Sequence, residues 1–517
     1  MSEKNNYAYE SDWKNYVFPK QSAVFASEED VKTLFAHIDF KEDGIKKSGM
    51  PIISNGEEGY VNTETEMTII FGGTGSKKTR TLVAPTICTL ANAGESMIIM
   101  DIKAELSSGE LSGIIRSQLR KCDYNTIFLD FRNLNSDGIN ILEKPYKLYK
   151  AGQKDLANIE LNNIAALISA VYKGTKADPY WELSAKQYFV GICNLIFESC
   201  NEAEKVNMLT IASYCNREAT DRLEELLNRY EATDNTLVML KSILSLPEKT
   251  LACVVSSLNS MLEPFINNRK LLRMLSKSTF NISELYLDKT ALFVIIPDEI
   301  STYDAISGMI IQQLTSALVN DAVKYGGKLP RRVNVICDEF CNYHICNMNK
   351  NISAHRSRQI RWYLVAQSLE QLQKCYPDDA GTILANCANL YFLNSSDLSL
   401  LNYLSDKSGV TNDNLNEKNV PLISIQQLQS LKKGWDYTEV YFTYRGMHYV
   451  TKLPDISLYY GIDCSQDERF ELPVKNFSDI SIYGLDELRN KLTNMDELAN
   501  FFDEIDEKLF KHSRKKV

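Results

Sequence analysis

The 517-residue sequence has no long hydrophobic run and no apolar leader. Its longest apolar stretches are short, such as "ALFVIIP" at 291–297. A membrane-spanning helix needs roughly 18 or more consecutive apolar residues. The polar start, "MSEKNNYAYESDWKNY", does not have the pattern of a signal peptide. We therefore expect a cytoplasmic protein, either free or held at the inner face of the membrane by a partner.

The sequence also has little histidine, with only five residues, and no arrangement of cysteines typical of disulfides. Its twelve cysteines fall mainly in apolar segments of a large leaderless chain, which favours reduced core thiols, for example at Cys253. One cluster contains Cys337, Cys341, His344 and Cys346. It lacks the C-x2-C spacing of a zinc site, so we expect no metal there.

An excess of positive charge is absent as well. The formal net charge is −10, which argues against a protein that coats nucleic acid with its whole surface. A local basic channel stays compatible with this charge. Basic residues cluster at 351–361, "NISAHRSRQIR", and in the terminal "KHSRKKV". The simplest interpretations are a solvated face for the first run and a disordered tail for the second.

Seven short apolar runs predict the strands of a mostly parallel sheet, because runs of this length fit strands that helices bury on both faces. They lie near 66–73, 96–102, 125–131, 290–297, 333–340, 362–368 and 390–397. Between the third and fourth runs, apolar residues recur at helical spacing, as in Phe189, Ile192 and Ile196. The expected fold class is therefore α/β, with the parallel domain interrupted by an inserted all-alpha domain.

Five parts are expected along the chain, which shows no internal repeat or low-complexity tract. They are an N-terminal approach segment (1–60), the first part of the α/β domain (61–149), the inserted all-alpha domain (150–285), the second part of the α/β domain (286–455) and an acidic helical C-terminal appendage with a basic end (456–517).

The stretch "FGGTGSKKTRT" at 71–81 nearly matches a phosphate-binding loop. The pattern G-x-x-x-x-G-K-[ST] begins at Gly72 and requires glycine where this chain has Lys77. An apolar strand before the loop and an apolar helix after it are the required context. Lys78 would reach the phosphates of ATP and the Thr79 hydroxyl would bind Mg²⁺. The expected nucleotide contacts are Gly72, Thr74, Gly75, Ser76, Lys77, Lys78, Thr79 and Arg80.

A matching acidic motif, "VNVICDEF", occurs at 333–340. At the end of such a strand, Asp338 can hold Mg²⁺ and Glu339 can activate the attacking water. Gln367 ends the following strand run. In ring-forming P-loop ATPases, a glutamine at the end of this strand can sense the γ-phosphate. These three residues are therefore the predicted metal-binding, catalytic and sensor residues.

Three arginines precede the strand that ends at Gln367, namely Arg356, Arg358 and Arg361. A guanidinium near a subunit edge can stabilise the transition-state charge at a neighbouring subunit's nucleotide. We select Arg356 as the catalytic candidate. A surface or DNA-facing role for any of the three stays open.

Seven landmarks in order carry a family resemblance: "GGTGSKKT", "MDIKAEL", "DFRNLNSDGINIL", "DPYWELSAKQYFVGICNLI", "ALFVIIPDE", "CDEF" and "AQSLEQLQKCYPDDAGTILANCANLYFLNSSD". Over roughly residues 20–455 the chain resembles the type IV secretion coupling proteins, the TraG-type conjugative DNA-transfer ATPases. The resemblance implies a RecA-like P-loop motor with an inserted all-alpha domain, assembled as a homo-oligomeric ring, usually a hexamer. It also implies partners: relaxase-bound single-stranded DNA or protein substrates, and the ATPases of a secretion channel.

Three departures from the family pattern shape the expectations. The usual N-terminal membrane anchor is not seen, so a separate anchor protein is expected to supply any membrane attachment. The usual "DPKGEL" reads "DIKAEL" at 101–106, without the proline and glycine that shape its turn. Lys77 occupies a glycine position, where a left-handed backbone costs a side-chain-bearing residue on the order of 1–2 kcal/mol.

Two functions from different classes follow, and a third is weaker. The first is an ATP-driven coupling protein, with activity reduced by Lys77. The second is a docking module for conjugative cargo that binds nucleotide weakly or does not hydrolyse it, for which Lys77 is the supporting feature. The third is a DNA translocase for chromosome segregation or packaging, against which the large helical insertion argues.

Overall fold

The computed structural model describes residues 22–42, 46–171, 179–229, 235–413, 418–462, 470–476 and 479–493. The strands are β1 Ala36–Asp39, β2 Pro51–Ser54, β3 Glu58–Val61, β4 Met67–Phe71, β5 Ser96–Asp101, β6 Asn125–Asp130, β7 Thr290–Ile295, β8 Val333–Cys337, β9 Ile360–Ala366, β10 Cys387–Phe392, β11 Val410–Asp413, β12 Lys418–Pro421, β13 Tyr437–Tyr444 and β14 Met447–Pro454.

The helices before β7 are α1 Glu28–Leu34, α2 Ala84–Asn92, α3 Ser112–Lys121, α4 Glu143–Lys150, α5 Lys154–Val171, α6 Pro179–Ser199, α7 Met208–Ser213, α8 Arg217–Arg229, α9 Asn235–Leu244, α10 Glu248–Ile266, α11 Arg269–Met274 and α12 Glu284–Leu287. After β7 come α13 Ser301–Lys324, α14 Met348–His355, α15 Leu369–Cys375, α16 Ala380–Asn386, α17 Leu398–Lys407 and α18 Ile425–Gln429. A π-helical turn, Thr79–Val83, precedes α2, and residues 485–493 are helical.

Nine strands form the central sheet in the order β14-β13-β10-β4-β9-β8-β5-β7-β6. The seven strands from β10 to β6 pair in parallel, and β13 and β14 add an antiparallel hairpin at one edge. The parallel strands coincide with the seven runs predicted from the sequence, so the expected α/β class is confirmed. They are buried along most of their length, which is why they read as continuous apolar runs.

Three β elements were not predicted, among them the two-stranded antiparallel sheet β11–β12. The segment expected to be a simple approach contains the antiparallel sheet β1-β3-β2, and the edge hairpin β13–β14 closes the central sheet. Polar residues interrupt the apolar positions of both hairpin strands, for example Thr438 and Glu439 in β13 and Thr451 and Lys452 in β14. Strands interrupted in this way lack the continuous apolar run by which the others were recognised.

Helices cover both faces of the central sheet. One face packs Ile70, Ile99 and Phe128 into a core with α2 and α3. The opposite face packs residues such as Ile69 and Leu129 into a core with α13 and with the helices between β6 and β7. The helical region is thus joined to the sheet through a continuous apolar core rather than through a linker.

All described elements between β6 and β7 are helical, from α4 through α12. The first of these helices starts at Glu143, seven residues before the expected boundary at 150, and packs against α5. The domain boundaries themselves stay predictions. Within the described ranges, no helix combines the length and apolar character required to cross a membrane.

Residues 470–476 and 479–493 form what we call the C-terminal strap, which contacts the sheet domain and then the helical region. The guanidinium carbon of Arg116 lies 3.7 Å from the centroid of the Phe470 ring. Further along, the Tyr214 hydroxyl donates to the Tyr483 carbonyl at 3.0 Å, and Leu488 is fully buried. The expected helical appendage is therefore partly observed as a packed element. The expected basic tail lies outside the described residues.

Most cysteines of the described ranges are buried. Cys253 is exposed, so its expected place in the core is wrong. It lies on α10, whose apolar stripe faces inward through Val254 and Leu258 instead. Among the described residues, no three histidine, cysteine or acidic side chains gather in a way that could hold a metal ion.

Candidate functional site

The candidate site lies at the carboxyl ends of adjacent parallel strands. The phosphate-binding loop follows β4, Gln367 follows β9, and Asp338 with Glu339 follows β8. Because β9 pairs with both β4 and β8, motifs that are far apart in the sequence meet along the edge formed by the carboxyl ends of these strands. This edge is where open α/β sheets bind ligands.

The loop keeps a glycine-like backbone at the position where the sequence departs from the pattern. Lys77 has a φ of +67°, in the left-handed region. The Thr81 N–H donates to the Lys77 carbonyl at 2.9 Å, which begins the helix that follows the loop. The substitution therefore changes the side chain without unfolding the turn, at a cost on the order of 1–2 kcal/mol.

The Lys77 side chain is held to one side by residues far along the chain. Its Nζ donates to the Trp435 carbonyl at 3.1 Å and lies 3.7 Å from Asp455 Oδ2. The same buried carboxylate accepts Nε and Nη2 of Arg80, both at 2.8 Å, and Nη1 of Arg80 reaches Glu110. Both side chains therefore turn toward Asp455. The nucleotide contacts expected of Lys77 and Arg80 stay predictions, and their backbone N–H groups are the atoms that could make them.

The second lysine of the loop points inward. Lys78 Nζ donates to the carbonyls of Gly72 at 2.6 Å and Gly73 at 3.2 Å, and burial lowers the pKa of this ammonium. A β-carbon at Gly72 would lie 2.6 Å from Ser76 Oγ and 3.2 Å from Lys78 Cγ, so only glycine fits there. The Ser76 hydroxyl is buried with no partner among the described residues. Cationic and polar groups of this kind fit a phosphate.

Gln367 connects the loop to the acidic pair. Its Nε2 donates to Glu339 Oε2 at 2.8 Å, and its Oε1 accepts the Thr74 hydroxyl at 3.3 Å. Lys103 Nζ lies 3.3 Å from the other Glu339 carboxylate oxygen. Glu339 itself has a φ of +53°, a strained conformation of the kind that clusters at functional sites. Gln367 therefore lies between the phosphate-binding loop and Glu339, the carboxylate predicted to be catalytic.

The "DIKAEL" turn supports the same site from β5. Asp101 Oδ2 accepts the N–H groups of Leu106 at 3.1 Å and Ser107 at 2.8 Å. Ala104, at the lost glycine position, has a φ of +56°. As at Lys77, the backbone keeps the left-handed conformation although the glycine is gone. The second departure from the family pattern is therefore also one of side chain, not of turn.

Two buried carboxylates, Asp101 and Asp338, lie close to Glu339 at the ends of the strands. Burial, and then the charges of Glu339 and Asp101, raise the pKa of Asp338 to about 7. Burial likewise raises the pKa of Asp101 to about 6, and one of its oxygens has no partner among the described residues. The Asp338 carboxylate and the Thr79 hydroxyl are oxygen ligands of the kind that suits Mg²⁺. The donor set therefore fits the cation predicted from the sequence.

Without bound metal, the chain is expected to lose stability as the pH rises from 5 to 8, and the Asp338→Asn variant much less. The folded pKa of Asp338, about 7, lies above the ordinary 3.8, so folding takes up a proton in this range. Its contribution to stability is complete below pH 3.8 and is lost as the pH rises through 7. Over pH 5–8 the loss is on the order of 2 kcal/mol. Chemical unfolding in chelator would measure it, and parallel curves for both proteins would contradict it.

The three arginines lie away from this edge. Arg356 Nη2 is 3.4 Å from Glu66 Oε1, just before β4 and so at the amino edge of the sheet, and Arg358 donates to the Ala354 carbonyl. Arg361 is only 1% exposed and binds Asn334. The expectation that Arg361 reaches a neighbour or DNA is wrong, because it is a buried structural residue. Arg356 is 59% exposed but does not meet the nucleotide site of its own chain.

Sequence reasoning missed the loop at residues 432–437, which lies against the phosphate-binding loop. Lys433 Nζ donates to the Gly75 carbonyl, and Trp435 and Asp455 hold Lys77 as described above. These residues are about 360 positions from the loop and follow no motif. Only the tertiary fold brings them there.

Comparisons with known proteins agree with this geometry. A sequence profile described as "Type IV secretory system Conjugative DNA transfer" matches residues 21–418. The plasmid coupling protein TrwB with the ATP analogue ADPNP has a TM-score of 0.57 at 14% identity, over 90% of this chain and 97% of that chain. TrwB with ADP and Mg²⁺ gives 0.56 at the same identity and coverage. No curated protein matches in sequence.

At 14% identity the structural likeness shows the fold alone, and it confirms the expected motor fold. The family profile is independent of that likeness and spans well over half of the 517 residues. The chain belongs to the type IV secretory family of conjugative DNA-transfer proteins.

Proposed function

We propose that the chain is an ATP-driven coupling protein that recruits relaxase-bound single-stranded DNA, or protein substrates, to a type IV secretion channel. The observation that carries this proposal is the link made by Gln367 between Thr74 of the phosphate-binding loop and Glu339. A loop, a sensor and a carboxylate joined in this way form the working parts of a P-loop ATPase. Family membership favours secretion over chromosome segregation or packaging.

Each residue of the site has a role in ATP hydrolysis. Lys78 would bind the β- and γ-phosphates, and Thr79 and Asp338 would hold Mg²⁺. The cation supplies charge neutralisation at the phosphates when it is bound. Glu339 would accept the proton of the attacking water, and Gln367 would orient Glu339 according to the state of the loop. TrwB structures with ADPNP and with ADP and Mg²⁺ support ATP and Mg²⁺ as ligands of this fold.

The docking-module alternative depended on Lys77. Its left-handed backbone and its contact with the Trp435 carbonyl leave the inside of the loop to Lys78. A lysine that neither unfolds the turn nor points inward supports real, if reduced, ATP use. The proposal therefore retains Lys77 as a moderating residue and not as an inactivating one.

The remaining parts of the proposal concern assembly. We infer a homo-oligomeric ring, hexameric when active, in which exposed Arg356 contacts a neighbouring subunit's nucleotide. The helical region between β6 and β7 would recognise the relaxosome, and secretion-channel ATPases would be further partners. We place the ring in the cytoplasm, at the inner face of the membrane through a separate anchor protein.

The test is ATP turnover of the chain beside Lys77→Gly, with and without single-stranded DNA, over a range of protein concentrations. We expect both proteins to hydrolyse ATP, with Lys77→Gly at most about ten- to thirty-fold faster, since that is the size of the backbone strain. Stimulation by DNA and a more than linear rise with concentration are expected of a site completed at a subunit interface.

Lys78→Ala serves as the inactive control, because it removes the phosphate-binding ammonium and leaves the Lys77 contacts in place. Turnover in Lys77→Gly alone would favour the docking module. Turnover equal to that of Lys78→Ala in both proteins would contradict ATPase function altogether.

A further inference from the structure

Trp435 is the most exposed large apolar side chain among the described residues, at 81%. By contrast, Trp362 is fully buried. A tryptophan ring is a large apolar and aromatic surface that proteins normally cover. When an exposed tryptophan lies beside a binding site, we therefore expect the ligand to cover its ring.

The loop that carries Trp435 is fixed against the phosphate-binding loop at several points. Lys77 Nζ donates to the Trp435 carbonyl at 3.1 Å, and Lys433 Nζ donates to the Gly75 carbonyl. On the other side, the Asp455 N–H donates to the Asp436 carbonyl at 2.6 Å. The ring is thus presented from a held backbone and not from a loose tip.

Strand order decides which end of a nucleotide lies near this ring. The sheet runs β13-β10-β4-β9-β8, with the phosphate-binding loop after the central strand β4. Glu339 lies on the β8 side of that loop, and Trp435 lies just before β13, on the opposite side. A nucleoside triphosphate with its γ-phosphate toward Glu339 therefore extends its nucleoside toward Trp435.

We propose that Trp435 stacks on the base of the bound nucleoside triphosphate. This inference rests on the proposed function, since it requires a nucleotide on the loop. Stacking uses the π-face that every base has, so adenine and guanine nucleotides are both accepted. Lys77 gains a role as well: by holding the Trp435 carbonyl it fixes the ring relative to the phosphates.

The experiment compares ATP, GTP and inorganic tripolyphosphate, each with Mg²⁺, by calorimetric titration of the full chain. Trp435→Ala is expected to weaken ATP and GTP binding about ten-fold or more and to leave tripolyphosphate affinity unchanged. Trp435→Phe is expected to recover most of the loss. Tyr460→Ala, which removes another exposed aromatic ring, is the matched control and should bind all three ligands normally.

Each other outcome overturns the inference. If the unaltered chain binds ATP and Trp435→Ala binds it equally well, the stacking role fails while the proposed function stands. Equal weakening of ATP and tripolyphosphate would mean that Trp435 only supports the loop. Loss of oligo-dT binding with ATP binding intact would assign the ring to DNA. If the unaltered chain binds neither ATP nor tripolyphosphate, the proposed function fails as well.

Discussion

Replacing Glu339 with glutamine is expected to lower ATP turnover by about 10²–10⁴-fold while ATP binding stays nearly unchanged. A neutral amide cannot take the proton of the attacking water. It is nearly the same size as the carboxylate and can still accept the hydrogen bond from Gln367 Nε2, so the loop should keep its geometry. Steady-state turnover and nucleotide titration on the same preparation measure the two effects separately.

The split between binding and turnover is what identifies Glu339 as the catalytic base. Lys78→Ala should lose both quantities, because the ammonium acts on the phosphates directly. Glu57→Gln, in the turn between β2 and β3, replaces an acid on a remote surface and should alter neither. Turnover in Glu339→Gln within three-fold of the unaltered chain would show that another group activates the water.

Arg361→Ala is expected to lower the free energy of unfolding by about 3–5 kcal/mol. The Arg361 guanidinium is buried and donates to Glu95 Oε2 at 2.9 Å and to Asn334 Oδ1 at 2.8 Å. It also reaches backbone carbonyls before β4, including that of Asn62 at 3.4 Å. Removal of the side chain leaves Asn334 Oδ1 buried without this donor, while Glu95 keeps, among the described residues, only Arg332 Nη1 and Asn334 Nδ2. Urea unfolding at fixed pH would give the difference.

Arg356→Ala provides the contrast within the same basic run. This side chain is 59% exposed and its contact with Glu66 is long, at 3.4 Å, so the expected loss of stability is below about 1 kcal/mol. Its effect should appear instead in turnover at concentrations that allow subunits to associate. Equal destabilisation by the two substitutions would contradict the assignment of Arg361 as structural and Arg356 as functional.

The sequence predicted what local pattern can encode. The seven parallel strands were predicted from continuous apolar runs. Lys78, Asp338 and Gln367 were predicted as site residues from their positions after strands. The hairpin β13–β14 was not predicted, because polar residues such as Glu439 and Lys452 interrupt its apolar positions. Arg361 was misjudged because arginine is usually exposed, and its burial depends on Glu95, which is 266 residues away.

The site shows a further limit of motif reading. A motif requires glycine at a loop position where the backbone is left-handed. Lys77 and Ala104 both adopt the left-handed conformation although they are not glycine. In each case partners elsewhere hold the turn: the Trp435 carbonyl holds the Lys77 ammonium, and the Gly109 N–H donates to the Ala104 carbonyl at 2.6 Å. The mismatches therefore change side chains and leave the backbone conformation of both turns in place.

The C-terminal strap has a consequence for the order of events on the ribosome. The Tyr214 hydroxyl finds its acceptor in Tyr483, which is synthesised 269 residues later. Leu488 and Leu492 enter the same core as the helices between β6 and β7. Those helices leave the exit tunnel long before the residues that complete their packing. Part of the apolar surface of the helical region therefore stays exposed to solvent until those residues are synthesised. Such a nascent chain is a natural client for chaperones during its own translation.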